Sequence, residues 1–299
     1  GGPSGSSPAK TLERLEINGI ALLENLRFDS GEENNNPEFS RHLASLADLY
    51  VNDAFGAAHR AHASTTGITT HLPSYAGLLM EKEIDMLGNS LNSSKGAAVA
   101  VVGGAKVGDK IHVLKNLTSK VDTILIGGGM LAAFLIASNR SGGAAEIKSE
   151  EVWAAKNLLD SGGAQVVLPA DVVTGRTFQQ NSIPTVYQAT DVPNDALIMD
   201  IGPRATREYA RILGIANTIV WNGPMGVFEW EAFSKGSIGV ARAIATNLKA
   251  TSVIGGGSTA EIVKSQNLSK QITHVSTGGG ASLEYLEGKI LPGVAALEW

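Results

Sequence analysis

The sequence predicts an α/β fold with two domains, in which parallel sheets are flanked by helices. Short apolar, β-branched segments alternate with amphipathic segments of helical period along most of the 299 residues, and this alternation is typical of parallel sheets. Several strand-like segments end directly in a glycine cluster, and one long helical pattern separates an early series of elements from a later one. Ligands of such sheets bind at the carboxyl ends of the strands, so the glycine clusters mark the predicted site.

The composition excludes several classes of protein. Because the chain has no cysteine, disulfides, thiolate catalysis and cysteine-ligated metals are ruled out. The net charge of −5 argues against a dedicated nucleic-acid binder. The sequence has no apolar run long enough to span a membrane and no apolar signal core at its N-terminus. We therefore expect a cytoplasmic protein that binds neither nucleic acid nor membranes.

The early series begins after a lead-in at residues 1–18 that is expected to be disordered, because its first eight residues are rich in Gly, Ser and Pro. Residues 20–24 read as a strand, and residues 37–49 as a helix with Phe39, Leu43, Leu46 and Leu49 on one face. A second strand at residues 50–51 follows. The long helical pattern at residues 73–91 is suited to bridge two domains.

The later series is denser and contains the predicted main sheet. Strands are expected at residues 97–102, 123–126, 165–168, 218–221, 252–254 and 274–275. Helices are expected at residues 106–117, 130–137, 150–161, 205–213, 237–247 and 260–266.

Glycine clusters lie at the ends of four of these strands, at residues 103–104, 127–129, 255–257 and 278–280. A glycine turn that leads into a helix aims unpaired backbone N–H groups and the positive end of the helix at an anion, most often a phosphate. Several such turns at one edge of a sheet indicate a cleft for more than one phosphate. A phosphoryl-transfer enzyme is therefore the leading interpretation.

Lys106 and Lys110 lie one predicted helical turn apart, just after the first glycine pair. A lysine pair is usually a solvated surface feature, but the Gly-Gly turn before it favours contact with phosphate. The spacing does not match a Walker A loop, and residues 127–129 do not match the Gly-x-Gly-x-x-Gly dinucleotide fingerprint. The second mismatch argues against a nicotinamide-dependent dehydrogenase.

A basic cluster lies in the early series, where Arg27 precedes the run His59-Arg60-Ala61-His62. Zinc binding by the histidines would need a third ligand that nothing nearby supplies. The arginines are better interpreted as guanidinium donors for a carboxylate or phosphate. Such a site facing the glycine-rich site would form a two-substrate cleft. Glu229, beyond a Gly-Pro-Met-Gly turn, fits a ribose ligand and a surface glutamate about equally well.

The chain resembles the phosphoglycerate kinase family from about Gly19 to Glu298, with the motifs in family order. The matching segments are residues 22–28, 51–64, 103–110, 200–203, 221–229, 276–282 and 286–294. The resemblance implies a monomeric, hinge-bending enzyme of glycolysis. Such an enzyme transfers a phosphoryl group between 1,3-bisphosphoglycerate and magnesium ADP, which gives 3-phosphoglycerate and ATP.

The resemblance also implies roles for individual residues. The glycerate substrate would be bound by Arg27, His59 and Arg60. The nucleotide would be bound by Lys110, Gly128, Asn222, Glu229, Gly256, Gly257, Ser258 and Thr259, with Lys110 on its phosphates, Asn222 on the terminal phosphate and Glu229 on the ribose. The phosphoryl group in transfer would be stabilised by Lys106 and by the amides of Gly279 and Gly280. ATP or ADP with Mg²⁺ is the expected cofactor, and no side chain is assigned as a metal ligand.

Two departures from the family qualify these expectations. Nothing at residues 1–18 matches the N-terminal segment of the family, which predicts an incomplete glycerate domain at residues 19–82, a nucleotide domain at 83–275 and a return to the first domain at 276–299. A catalytically impaired fragment or a nucleotide-binding pseudoenzyme is the alternative. Ser258 stands where the family usually has an aspartate, which predicts weakened magnesium binding because a neutral hydroxyl is a poorer ligand for a hard cation.

Overall fold

The computed structural model describes residues 7–89 and 96–297. The chain divides into two compact units. Unit 1 comprises Gly1–Ile84 and Lys289–Trp299, and unit 2 comprises Asp85–Gly288. Residues 276–288 thus belong to unit 2, whereas the sequence assigned them to the return to the first domain. Hydrogen bonds explain this placement, because Ser276 N donates to Ile254 O over 2.8 Å and Asn116 Nδ2 donates to Leu286 O over 2.6 Å.

The secondary structure alternates as the sequence predicts. The helices are α1 Ser7–Leu12, α2 Ser30–Glu33, α3 Pro37–Ala44, α4 Leu78–Ile84, α5 Ile111–Leu117, α6 Leu131–Ala137, α7 Ser149–Asp160, α8 Pro203–Gly214, α9 Lys235–Thr246, α10 Gly257–Ser265, α11 Gly280–Leu286 and α12 Pro292–Ala295. The strands are β1 Tyr50–Asn52, β2 Ser74–Ala76, β3 Ala98–Val102, β4 Thr123–Ile126, β5 Gln165–Val167, β6 Asp171–Gly175, β7 Thr185–Gln188, β8 Leu197–Ile201, β9 Thr218–Asn222, β10 Thr251–Gly255 and β11 His274–Val275.

Unit 2 is built on a six-stranded parallel sheet in the order β11-β10-β9-β3-β4-β5. Its central strands β3 and β9 are buried along their whole length, as expected for strands covered by helices on both faces. Tyr209 of α8 is fully buried, and its hydroxyl donates to Ile126 O over 2.7 Å and to Val167 O over 3.1 Å. The parallel sheet predicted from the sequence is therefore confirmed, and the carboxyl ends of its strands share one edge.

A smaller antiparallel sheet in the order β7-β6-β8 was not predicted from the sequence. Two buried aspartates join it to neighbouring helices. Asp171 of β6 accepts hydrogen bonds from Arg204 N and Ala205 N at the start of α8. Asp200 of β8 accepts one from Gly236 N over 2.7 Å at the start of α9. A carboxylate at a helix N-terminus satisfies N–H groups that have no intrahelical acceptor.

Asp200 gives unit 2 a predictable dependence of stability on pH. Burial raises the pKa of this carboxyl from 3.8 to about 7, although hydrogen bonds from Gly236 N and Ile201 N oppose the shift. Because the folded-state pKa lies above the unfolded value, the stabilising contribution is complete below about pH 4 and is lost as the pH rises through 7. Urea unfolding from pH 4.5 to 8 should show a loss of at most about 1.4 kcal/mol per pH unit from this group. Asp200→Asn should remove that component, and an unchanged pH profile in this variant would contradict the assignment.

Unit 1 contains a two-stranded parallel sheet of β1 and β2 and a small core formed by Phe39, Leu43, Ala44, Ala63 and Ile68. Helix α3 begins where the Asn36 side chain accepts hydrogen bonds from the N–H groups of residues 38 and 39, which is a standard N-cap.

Several sequence predictions for the early series were wrong. Residues 20–24 form no strand, and Ile20 is 94% exposed, since a strand is stable only when it pairs with a neighbour. Helix α3 ends at Ala44, so Leu49 is exposed outside it. Helix α1 occupies part of the lead-in that was expected to be disordered, and residues 1–6 lie outside the described residues.

The long helical pattern at residues 73–91 is divided in the structure. It gives strand β2, helix α4 and a π-helical turn at Asp85–Asn89, and Leu91 lies outside the described residues. Asp53 fixes the start of α4, because its carboxylate accepts hydrogen bonds from Leu79 N and Met80 N. None of the described helices is both long and apolar enough to cross a membrane.

Candidate active site

A cavity of about 440 Å³ lies in unit 2, where the loops after β3, β4 and β9 come together. Lys106, Gly128 and Glu229, all predicted site residues, line it. The rest of the lining includes an apolar wall formed by Ala132, Ala133, Ile147, Phe178, Ile198, Met199 and Val227. A cavity with one apolar wall and a few polar groups has the character of a small-molecule site.

Glycines allow the loops around this cavity to approach one another. Gly104 N donates to Pro224 O over 3.2 Å, and Gly128 N donates to Met225 O over 2.8 Å. A Cβ atom on Gly103 would lie 2.0 Å from Pro224 O, and one on Gly128 would lie 2.5 Å from Gly104 N. Gly128 also has a φ of 71°, which side chains other than glycine rarely adopt. Gly128 thus lines the cavity while its N–H is already bonded within the protein.

The sequence placed Lys106 and Lys110 one helical turn apart at the start of a helix, and this prediction was wrong. Helix α5 begins only at Ile111, and Lys110 is its N-cap residue. Lys106 lies in the irregular loop before it, exposed, at the cavity. Lys110 is half-buried, and its Nζ donates to Asn222 Oδ1. The structure therefore gives the two cations different surroundings.

Asn222 ends strand β9 beside the glycine turn after β10. The residue is 2% exposed, and its Nδ2 is buried without a hydrogen-bond partner among the described residues. Cβ atoms built on Gly255 and Gly256 would lie 3.2 and 3.5 Å from this nitrogen, so the amide is directed at the turn. A buried donor without an acceptor is costly, and an anionic ligand at the turn would satisfy it.

Burial lowers the pKa of Lys110 from 10.5 to about 8, while the charges of Asp109 and Glu287 act in the opposite direction. Desolvation disfavours the ammonium form. An anionic ligand would stabilise the charged form of this half-buried lysine, because it offsets the free-energy cost of holding the charge away from water.

The turn at residues 255–257 opens into helix α10, and Gly256 has a φ of 94°. The first N–H groups of a helix lack intrahelical acceptors, and this end is where an anion binds. Ser258 is exposed in the first turn of α10. Thr259 is buried instead, and its Oγ1 accepts a hydrogen bond from Gly223 N over 2.9 Å. The side chain of Thr259 thus holds the neighbouring turn in place.

The last glycine cluster leads into helix α11. Gly279 has a φ of 52°, and the space around its Cα is open. Two buried serines hold this glycine cluster by hydrogen bonds. The hydroxyl oxygens of Ser276 and Ser282 lie 2.6 Å apart, and Ser276 Oγ accepts a hydrogen bond from Gly278 N over 3.2 Å. This serine pair was not singled out as functional in the sequence, because two hydroxyls six residues apart carry no recognisable pattern.

The basic residues of the early series lie in unit 1. Arg27 forms an exposed ion pair with Glu33, with 3.6 Å between Arg27 Nε and Glu33 Oε1. Arg60 Nε donates to His59 Nε2 over 3.3 Å, and His59 Nδ1 is buried without a hydrogen-bond partner among the described residues. In the described part of the chain, no group of three or more His, Cys, Asp or Glu side chains is arranged to hold a metal ion.

The sequence analysis missed the part of the apolar wall that Phe178 and Met199 contribute. Phe178 follows β6 in an irregular segment, lines the cavity and packs on Trp230 with 4.9 Å between ring centroids. Met199 reaches the cavity from β8. Both positions depend on the antiparallel sheet, so the sequence pattern alone held no signal for them.

Comparison with known proteins identifies the family of this chain. A family model described as phosphoglycerate kinase matches residues 4–289. The chain is 48% identical over 299 residues to the phosphoglycerate kinase of Moorella thermoacetica, spanning 99% of this chain and 75% of the relative. It is 46% identical over 297 residues to that of Herpetosiphon aurantiacus, spanning 98% and 75%.

A solved structure gives the same result for the fold. The phosphoglycerate kinase from Coxiella burnetii superposes with a TM-score of 0.89 at 39% identity, covering 96% of this chain and 78% of that one. This chain therefore belongs to the phosphoglycerate kinase family.

Proposed function

We propose that the chain transfers a phosphoryl group between 1,3-bisphosphoglycerate and magnesium ADP to give 3-phosphoglycerate and ATP. The observation that carries this proposal is the convergence of Lys106, Glu229 and the glycine turns after β3, β4 and β9 on one cavity at the carboxyl edge of the unit 2 sheet. Phosphoryl transfer requires positioning and neutralisation of charge more than covalent participation by the protein. Backbone N–H groups, lysines and helix N-termini supply those requirements.

The residues of unit 2 fit an adenine nucleotide. The apolar wall suits the base, and Glu229 at the cavity suits the ribose hydroxyls. Asn222 Nδ2, buried and without a partner among the described residues, fits a terminal phosphate oxygen. Lys110 would neutralise the phosphates, and the turn at Gly256 and Gly257 would receive them at the N-terminus of α10. Ser258 belongs to the same first turn.

Magnesium fits this site as part of the nucleotide complex. No group of three or more His, Cys, Asp or Glu side chains in the described part of the chain forms a cage for a cation, and Mg²⁺ commonly binds through substrate phosphates and water with few protein ligands. Ser258 offers a neutral oxygen in the first turn of α10. When bound, magnesium would neutralise charge on the phosphates.

The glycerate substrate would bind to unit 1 through Arg27, Arg60 and His59. Guanidinium groups bind phosphate and carboxylate oxygens through paired hydrogen bonds. The exposed ion pair between Arg27 and Glu33 contributes little free energy, so Arg27 can exchange it for a substrate oxygen at small cost.

The residues around the phosphoryl group in transfer would act by stabilising its charge. Lys106 is exposed at the cavity and provides a positively charged ammonium group there. The N–H groups of Gly279 and Gly280 lie at the start of α11, where helices provide donors without intrahelical acceptors. Preorganised donors aimed at developing charge are usually the largest single contribution to catalysis of this type.

Lys110→Ala is expected to weaken the binding of magnesium ADP about tenfold, because a direct charge-assisted contact is lost. Isothermal titration calorimetry measures the change. Lys115→Ala is the matched control, since Lys115 is an exposed lysine on the same helix and should leave the affinity unchanged. Equal affinities for wild type and Lys110→Ala would overturn the assignment of Lys110.

The affinity for magnesium ADP should fall as the pH rises above about 8. The free protein loses the Lys110 proton near that pH, whereas the bound phosphates favour the charged form, so binding takes up a proton and weakens by at most about tenfold per pH unit. Titrations at pH 7, 8 and 9 in buffers of different ionisation enthalpy measure both the affinity and the proton uptake. Lys110→Met should abolish the dependence; its persistence in that variant would show that another group titrates.

For the cellular context, we propose a monomer that acts in glycolysis in the cytoplasm. The family membership supports this assignment.

A further inference from the structure

Glu32 is a buried carboxylate that the proposed chemistry does not use. It lies on α2 and is 3% exposed, whereas its neighbour Glu33 is exposed and pairs with Arg27. Acidic residues are rarely buried unless other groups satisfy them. The contacts of Glu32 therefore indicate what the side chain stabilises.

The partners of Glu32 are three consecutive residues of another loop. Its carboxylate accepts hydrogen bonds from Ser64 Oγ over 2.6 Å and from Ser64 N over 3.1 Å, and His62 Nδ1 lies 3.6 Å from its Oε1. Its backbone carbonyl accepts a further bond from Ala63 N over 2.9 Å. Glu32 thus ties α2 to residues 62–64.

The same loop fixes the backbone of Arg60. Thr65 Oγ1 donates to Arg60 O over 2.7 Å and accepts from His62 N over 3.0 Å. The Tyr50 hydroxyl donates to Ser64 O over 2.7 Å. Residues 60–65 therefore form one hydrogen-bonded network, and the buried Glu32 carboxylate connects this network to α2.

We propose that Glu32 is a positioning residue that sets Arg60 for the phosphate of the glycerate substrate, acting through Ser64 and Thr65. This inference rests on the proposed function, in which Arg60 binds that phosphate. Adjacent residues of α2 then serve the two arginines differently. Glu32 fixes the Arg60 loop through buried bonds, and Glu33 holds Arg27 through an exposed ion pair. Arginine forks recognise phosphate only in a defined geometry, so loosening the loop weakens binding while the guanidinium remains present.

The test measures the dissociation constant of 3-phosphoglycerate by ³¹P NMR titration of the full chain. Glu32→Gln is expected to weaken binding about tenfold, because the amide presents a donor to the Ser64 N–H and Oγ–H groups. Glu38→Gln removes the same charge from an exposed position of α3 and should change the constant by less than about twofold. Arg60→Lys is the direct test of the binding residue and should weaken binding about tenfold or more.

A positioning role also predicts which kinetic constants change. Glu32→Gln should raise the KM for 3-phosphoglycerate while kcat at saturation and the dissociation constant of magnesium ADP stay at wild-type values. The stoichiometry of the titration reports the folded fraction, so partial unfolding is separated from a change in affinity. If Glu32→Gln does not fold, Ser64→Ala removes one of the bonds and should weaken binding about threefold.

The outcomes separate the inference from the proposed function. If Arg60→Lys weakens binding and neither Glu32→Gln nor Ser64→Ala does, the positioning role is overturned and the proposed function stands. If Glu32→Gln and Glu38→Gln weaken binding equally, charge and not loop geometry is responsible, and the inference fails. If Arg60→Lys binds as wild type does, Arg60 is not the phosphate ligand, and both the assignment and the inference fall.

Discussion

Lys106→Ala is expected to lower kcat by about a hundredfold to a thousandfold. Lys106 is exposed in the loop before α5 and lines the cavity that also contains Glu229. The loss of one preorganised group that stabilises transition-state charge typically costs that much. Because the ground-state nucleotide is held mainly by other groups in this account, the KM for ATP should change by less than about threefold.

Two control variants distinguish catalysis from general electrostatics. Lys106→Arg keeps the charge and should recover part of the rate, although a guanidinium differs in shape from an ammonium group. Lys115→Ala removes an exposed lysine of α5 and should leave kcat unchanged. A Lys106→Ala enzyme with wild-type kcat and a raised KM would reassign Lys106 to substrate binding.

Gly103→Ala is expected to destabilise unit 2 by about 3 kcal/mol and to disrupt the nucleotide site. The new Cβ would lie 2.0 Å from Pro224 O and 2.7 Å from Met225 Cε, and no backbone carbonyl accommodates a carbon at that distance without moving. Overpacking of this kind commonly costs 1–3 kcal/mol. Because the loops after β3 and β9 form the cavity together, separating them should also weaken magnesium ADP binding, which calorimetry measures beside urea unfolding.

The same loop provides a matched control. A Cβ atom on Gly108 would have no heavy atom within 4 Å, so Gly108→Ala adds the same methyl group in open space and should leave stability equal or slightly higher. If both variants unfold at the same urea concentration as wild type and bind magnesium ADP with the same affinity, the close approach of the two loops does not matter for folding or binding.

The main sheet was predictable because its signals are local. Strands β4 and β11 have the predicted bounds, and β3, β5, β9 and β10 differ by one or two residues. The central strands β3 and β9 are buried along their whole length, and burial on both faces requires a run of mainly apolar residues. The glycine turns were predictable for the same reason, since a turn that must adopt a positive φ, as at Gly256, calls for glycine.

Features that depend on distant partners could not be predicted locally. Strands β6, β7 and β8 form a sheet whose joins to the helices depend on the buried carboxylates of Asp171 and Asp200, each bonded to N–H groups more than thirty positions away. Residues 20–24 form the short apolar run of a strand but have no partner strand in the described structure. Lys106 and Lys110 have helical spacing, yet α5 begins after both.

The candidate site shows the same division. The cations and glycines proposed to bind phosphate were found from their spacing, and the motifs of the family then supplied Asn222 and Ser258. The structure, and not the sequence, shows why an asparagine suits position 222. Its Oδ1 accepts a hydrogen bond from Lys110, while its Nδ2 is buried beside Gly255 and Gly256. Glu32 looked like one more acidic residue in the run at residues 32–33, and only its burial and its bonds to Ser64 reveal that it holds the loop that contains Arg60.

The most direct test of this account is a coupled assay of ATP-dependent phosphorylation of 3-phosphoglycerate by the purified chain in magnesium buffer. The account predicts turnover that requires both substrates and falls at least about a hundredfold in Lys106→Ala. Calorimetric binding of magnesium ADP on the same sample confirms that the nucleotide site is intact. Stoichiometric nucleotide binding with no phosphoryl transfer above background would contradict the proposed function.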